Sequence, residues 1–181
     1  PVVHPILPSA EKEMIFGVPV PGNPASLLVP GVGCVNACRF CSTSHYFGKQ
    51  YISFFDSGDE LFAAACTIAD AQGSNEFFVM DENFLKSKER AFRMIELMEK
   101  HERYFRFHIF SSAETIVDFG VENLARLGVN FLWLGVESST EEGNYDKNRG
   151  IDAKQLIAEL QRYGMMVLAS GILCAEHHTP N

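Results

Sequence analysis

From Ser26 onward, short apolar runs alternate with stretches in which apolar residues recur at helical spacing. The runs are SLLV (26–29), EFFVMD (76–81), FRFHIFS (105–111), NFLWLGVE (130–137) and MMVLASGIL (165–173), and each reads as a strand. Between them lie four stripes: Leu61, Phe62, Ala65 and Ile68; Ala91, Met94, Ile95 and Met98; Val117, Val121, Leu124 and Leu127; Ala153, Leu156, Ile157 and Leu160. Asp59 is placed to cap the first helix, and Gly128 and Gly164 follow the third and fourth where left-handed C-caps belong. After the first strand, every interval has room for a helical crossover, so parallel strands and right-handed connections are expected. The pattern predicts an α/β chain, either an open doubly wound sheet or most of a barrel. In both, chemistry gathers at the carboxyl ends of the strands.

Side chains alternate along a strand, so Leu132, Leu134 and Val136 share one face of the fourth run, and Phe131, Trp133, Gly135 and Glu137 share the other. The aliphatic face belongs against helices. Glu137 is therefore expected to point inward at the carboxyl end, with Gly135 leaving space for a ligand. On the third run Arg106, His108, Phe110 and Ser112 oppose Phe105, Phe107, Ile109 and Ser111. His108 is then either a hydrogen-bonded interior residue or a group that touches a ligand.

Composition narrows the function classes. With 181 residues and 46% hydrophobic content, the chain can bury one core of its own. A formal charge of -8 and the lack of a Lys/Arg cluster argue against nucleic acid or an anionic membrane as partner, and for a small-molecule substrate. No apolar run reaches membrane-spanning length, and PVVHPILPSAEKEM lacks the layout of a secretory signal, so a cytoplasmic location is expected. The chain starts without Met and stops at CAEHHTPN, where Thr179 and Pro180 resemble the start of a helix. It is expected to be part of a longer protein.

Three of the five cysteines fall in GCVNACRFC. Such bunching in a non-secreted chain points to metal or redox chemistry rather than disulfides. Cys34, Cys38, Cys41 and His45 together supply a Cys3His set for zinc, the donor set of a noncatalytic, metal-stabilised interaction module. Against it, the four donors sit closer in sequence than familiar fingers, and a chain this long needs no metal staple. An iron–sulfur cluster held by three cysteines instead keeps one iron open to a ligand. The GVG of 31–33 does not continue into a dinucleotide-binding turn, because Asn36 stands where the third glycine is required. Cys66 reads as packing. Cys174 follows the fifth strand at the mouth, a place for a reactive role that nothing else in the sequence supports, and His177 and His178 lack a spaced third ligand.

The run Cys34-Val-Asn-Ala-Cys38-Arg-Phe-Cys41, placed after the first strand of a βα repeat, resembles the Cys-x3-Cys-x2-Cys signature of radical S-adenosylmethionine (SAM) enzymes. CSTSHYFGKQY, VMDENF, LARLGVNFLWLGVES and ASGILCAEHHTP extend the likeness to the subgroup with a cobalamin-binding domain, although GVGC stands where many members have an arginine before Gly-Cys. The resemblance implies a partial TIM-like (β/α)6 barrel over residues 26–181, truncated before the sixth strand, with 1–25 as an N-terminal extension or linker. It implies a [4Fe-4S] cluster on Cys34, Cys38 and Cys41, SAM chelated at the open iron, reductive SAM cleavage, and a reductant such as flavodoxin or ferredoxin. Cobalamin, and with it methyl transfer or a carbon-skeleton change, enters through a domain absent from this chain.

The same resemblance assigns cofactor contacts. Glu137 is expected at the SAM ribose hydroxyls, and Asp81, Glu82 and Asn83 near the SAM amino group, with helix capping by Glu82 or Asn83 as the competing role. Phe40 is expected beside adenine, chiefly through its backbone. Gly171 and Ile172 are expected where the fifth strand passes the adenine ring, and Ser112 at the end of the third strand. Arg149 is a candidate for the SAM carboxylate or a solvated loop residue.

Overall fold

The computed structural model describes residues 12–15, 18–21, 25–137, 148 and 150–172. Its centre is a five-stranded, all-parallel sheet of β3 (Ser26–Leu28), β6 (Glu76–Val79), β7 (Arg106–Ser112), β8 (Val129–Glu137) and β9 (Met166–Gly171), hydrogen-bonded in that order. Each strand joins the edge made by the one before it. A doubly wound sheet would reverse direction at a switch point, and this one does not, so the alternative left open by the pattern resolves towards the barrel.

Helices α2 (Gly58–Gln72), α3 (Lys88–Lys100), α4 (Ala113–Phe119), α5 (Val121–Leu127) and α6 (Ala153–Arg162) follow between the strands. Strand alternation sorts the sheet into two faces. Phe77, Val79, Phe107, Ile109, Leu132 and Leu134 are fully buried, and they form one core with the stripe residues Leu61, Ala65, Met94, Met98, Leu124 and Leu127. On the other face Phe78, His108, Phe110, Phe131 and Trp133 are partly exposed and touch one another ring to ring.

Several local features differ from the pattern's expectation. The cap of α2 is Ser57, whose hydroxyl accepts from the Glu60 N–H at 3.2 Å while the Glu60 carboxylate accepts from the Asp56 N–H. The two bonds satisfy two backbone donors, in the manner of a capping box shifted by one residue, and leave Asp59 in the first turn paired with Arg93. The third stripe is two helices, because Gly120 at φ +91° breaks the chain between α4 and α5 and turns Val117 out to solvent. Two antiparallel pairs carry no hydrophobic signature: β1 (Lys12–Ile15) with β2 (Val18–Pro21), inside the stretch read as an extension, and β4 (Gly31–Gly33) with β5 (Tyr51–Ser53).

Gly128, the C-cap of α5, lies at φ +87°, and a Cβ built there would stand 2.1 Å from the Phe105 carbonyl oxygen. Gly128→Ala combines left-handed strain with that clash. The substitution is expected to cost about 2 kcal/mol or more, measured by urea unfolding.

Candidate functional site

The cysteine loop leaves β4 at the carboxyl end of β3 and returns through the short helix α1 (Ser42–Tyr46) to β5. Ser44, buried beneath it, shapes the loop by donating to the Cys34 carbonyl at 2.7 Å and accepting from the Ala37 N–H at 3.1 Å. The Cys41 N–H donates to the Cys38 carbonyl, closing the turn between the last two cysteines. None of the three is in a disulfide, and none belongs to the apolar core.

Cys34, Cys38 and Cys41 line one cavity of about 260 Å³. Phe40, Asn36 and Ser44 of the loop join them. The opposite wall comes from the strand ends: Glu82 and Asn83 after β6, Phe110, Ser111 and Ser112 of β7, Trp133, Gly135 and Glu137 of β8, and Ser170 of β9. Thiols, two carboxylates, hydroxyls and aromatic rings therefore converge on one space at the carboxyl rim.

Strand β8 ends in a register irregularity between Gly135 and Glu137, and Glu137 itself sits at φ +66°. A non-glycine residue in that region stores strain, and here the bend brings the carboxylate into the cavity wall. The Asn148 side chain holds the bend by donating to the carbonyls of Gly135 and Val136 at 2.8 and 3.0 Å. The Ile172 N–H donates to the Glu137 carbonyl.

The three polar residues after β6 take separate paths. Asp81 is buried and turns away from the cavity, accepting from the Tyr51 hydroxyl at 2.7 Å and from the Arg90 guanidinium at 3.1 Å. Burial raises its carboxyl above the ordinary range, while Tyr51 and Arg90 pull it down. Burial also pushes the Tyr51 phenol up, and the Asp81 charge adds to that, so Tyr51 stays a proton donor. Glu82 lines the cavity and accepts from the Gly33 N–H at 3.1 Å; burial raises its carboxyl, and the Asp81 charge contributes further. Asn83 makes no capping bond. Its amide instead donates to the hydroxyls of Ser112 and Thr115 and accepts from Ser111, knitting the ends of β6 and β7 together.

Of the residues expected at the cofactor, Phe40, Glu82, Asn83, Ser112 and Glu137 line the cavity with the three cysteines, and Asp81, Gly171 and Ile172 do not. A Cβ at Gly171 would meet the Glu137 carbonyl at 3.6 Å, an ordinary contact. His108 bonds to the buried Glu76 carboxylate at 2.7 Å, lower on the inner face. Arg149, Cys174, His177, His178 and the Thr179–Pro180 helix start lie outside the described residues. Sequence reasoning missed Ser44, whose hydroxyl three residues after Cys41 was a readable turn signal, and Ser170, which strand alternation at the end of β9 could have found.

The zinc alternative draws no support from this arrangement. His45 is exposed and is not part of the cavity wall. Among the described residues, no group of three or more His, Cys, Asp or Glu side chains is gathered tightly enough for a single ion. A multi-iron cluster is wider than one ion, and a loop that lines a shared cavity with all three thiols fits it. Burial pushes the Cys34 thiol up, with the Asn36 backbone opposing and Cys41 and Glu82 adding to the rise. Iron's positive charge is what turns such thiols into thiolates.

Among the described residues no helix is long and apolar enough to cross a membrane. Curated proteins give no match. Solved structures do. The chain is similar to the cobalamin-dependent S-adenosylmethionine radical enzyme OxsB with aqua-cobalamin bound, at 19% identity and TM-score 0.61 over 81% of this chain and 23% of that one. It is also similar to the radical S-adenosylmethionine methyltransferase TsrM from Kitasatospora setae with cobalamin and a [4Fe-4S] cluster bound, at 15% identity and TM-score 0.62 over 80% of this chain and 30% of that one. The likeness is one of fold, and the chain spans less than a third of either structure. The family model of the Radical SAM superfamily matches residues 28–178, a span that begins at the end of β3 and takes in the cysteine loop and every later strand, and by that match the chain belongs to the Radical SAM superfamily.

Proposed function

We propose that Cys34, Cys38 and Cys41 hold a [4Fe-4S] cluster in the rim cavity and that SAM binds at its open iron beside Glu137, Glu82 and Ser112. When bound, the cluster supplies the electron that cleaves SAM and starts radical modification of a small-molecule substrate. The supporting observation is the convergence of the three thiols and the two carboxylates on one cavity at the carboxyl ends of parallel strands. In this reading Glu137 accepts from the ribose hydroxyls, Glu82 faces the SAM ammonium, Phe40 lies beside adenine, and Asn83 fixes Ser112 in place. Gly171 and Ile172 contribute backbone near the adenine side of the rim, and Asp81 acts indirectly.

The finer reading is cobalamin-dependent methyl transfer. Its support is that OxsB and TsrM, the fold relatives above, both carry cobalamin. The cobalamin would come from protein outside this chain. A flavodoxin- or ferredoxin-type reductant and a cytoplasmic setting complete the proposal.

Anaerobic reconstitution with iron and sulfide, then incubation with SAM and dithionite, is expected to yield 5'-deoxyadenosine. A chain that takes up one zinc and no sulfide would sink the reading. Glu137→Gln keeps the shape and removes the charge. It is expected to weaken SAM binding about 10- to 100-fold in equilibrium titration, the loss of a hydrogen bond to a charged acceptor, while iron content stays at the wild-type level.

A further inference from the structure

We infer that Tyr51, Asp81 and Arg90 are positioning residues for the cluster: a buried polar clamp that fixes the backbone leading into Cys34 from behind the cavity. The inference rests on the proposed function above. Three elements distant in sequence meet in the clamp. The Tyr51 hydroxyl on β5 donates to Asp81 Oδ2 at 2.7 Å and accepts from Arg90 Nη1 on α3 at 3.0 Å. A second Arg90 nitrogen donates to the same Asp81 oxygen at 3.1 Å. Asp81 and Arg90 side chains are 1% and 5% exposed, so their ion pair is shielded from water, while Tyr51 is half-buried.

The clamp closes a circuit around Gly33, the residue before Cys34. Gly33 is the register partner of Tyr51 in the β4–β5 pair. Asp81 Oδ1 accepts from the Asn83 N–H at 3.0 Å, shaping the turn that carries Glu82, and Glu82 accepts from the Gly33 N–H. The glycines of β4 make the circuit possible. A Cβ on Gly31 would stand 2.4 Å from the Tyr51 hydroxyl, and one on Gly33 would stand 2.3 Å from the Gln50 carbonyl. Further along, the Asn36 side chain donates to Glu114 at 3.3 Å and ties the loop to α4. The backbone before the first thiol is thus held by bonds to β5, to the segment after β6 and, through Asp81, to α3; of the four residues that make them, Glu82 lines the cavity and Tyr51, Asp81 and Arg90 stand behind it.

The test compares iron retention and cluster spectroscopy in three variants of the reconstituted chain. Tyr51→Phe and Asp81→Asn are expected to bind iron about 10- to 100-fold more weakly in chelator competition, the range seen when groups behind metal ligands are altered, and to change the electron paramagnetic resonance signal of the reduced cluster. Leu156→Ala, which opens the packing of α6 far from the hairpin, is the control for general destabilisation and is expected to keep both. If a folded Tyr51→Phe or Asp81→Asn chain retains wild-type affinity and signal, or if Leu156→Ala loses iron equally, the clamp has no positioning role. Should Asp81→Asn fail to fold, Tyr51→Phe decides. A wild-type chain that assembles no cluster overturns the proposed function itself, and this inference with it.

Discussion

Replacing Cys34, Cys38 or Cys41 by serine, one at a time, is expected to yield a folded chain without a stable cluster and without 5'-deoxyadenosine formation above background. Serine keeps the size and removes the soft thiolate that iron–sulfur chemistry requires. The fold has little stake in these positions, since all three are partly exposed and lie outside the apolar core. The loss of iron affinity should exceed the roughly 10- to 100-fold effect of altering groups behind a ligand. Two controls sharpen the reading. Cys66→Ala, on α2 and packed against the core, should leave iron content unchanged. His45→Ala should do the same. Loss of metal from His45→Ala together with each cysteine variant would instead revive the four-donor site.

Phe107→Ala is expected to destabilise the chain by about 3–5 kcal/mol, a large share of the roughly 5–15 kcal/mol that holds a domain together. Phe107 is completely buried on the helix-facing side of β7, with ring centroids of Phe77, Phe105 and Phe84 at 5.8, 6.1 and 6.3 Å. Removing the ring forfeits its transfer free energy and leaves a void that rigid neighbours cannot fill. Three residues on, Phe110 faces the cavity and is partly exposed. Phe110→Ala should cost less than half as much in denaturant unfolding. Equal losses at the two positions would mean that the two faces of the sheet are not separate in energy.

What could be read from the chain follows the range of the interaction behind each feature. The five parallel strands were legible because alternation and crossover length are local, and the helix-facing and cavity-facing sides of β8 came from the same rule. The cysteine trio was legible because its ligands fall within one loop. Tyr51–Ser53 was not, since three-residue strands pairing with Gly-Val-Gly bury no apolar stripe. The direction of Asp81 was hidden for a different reason. It depends on Tyr51 and Arg90, which are 30 and 9 positions away in sequence and meet it only after the sheet and α3 have packed. Ser57 displaced Asp59 as a cap because the serine hydroxyl accepts from the Glu60 N–H while the Glu60 carboxylate accepts from the Asp56 N–H, a signal spread over two residues that no single position carries.

The separation of the sheet into a sealed side and an accessible side also bears on how such a protein can change over generations. Rings such as Phe110 and Trp133, partly exposed on the cavity wall, are expected to be exchanged with modest harm to folding, so new preferences for what enters the chamber can be tried in single steps. Phe77, one step from Phe78, and Phe107, one step from His108, have no such latitude. Single substitutions on the chamber wall are thereby expected to change what binds before they change folding, and those on the sealed side the reverse.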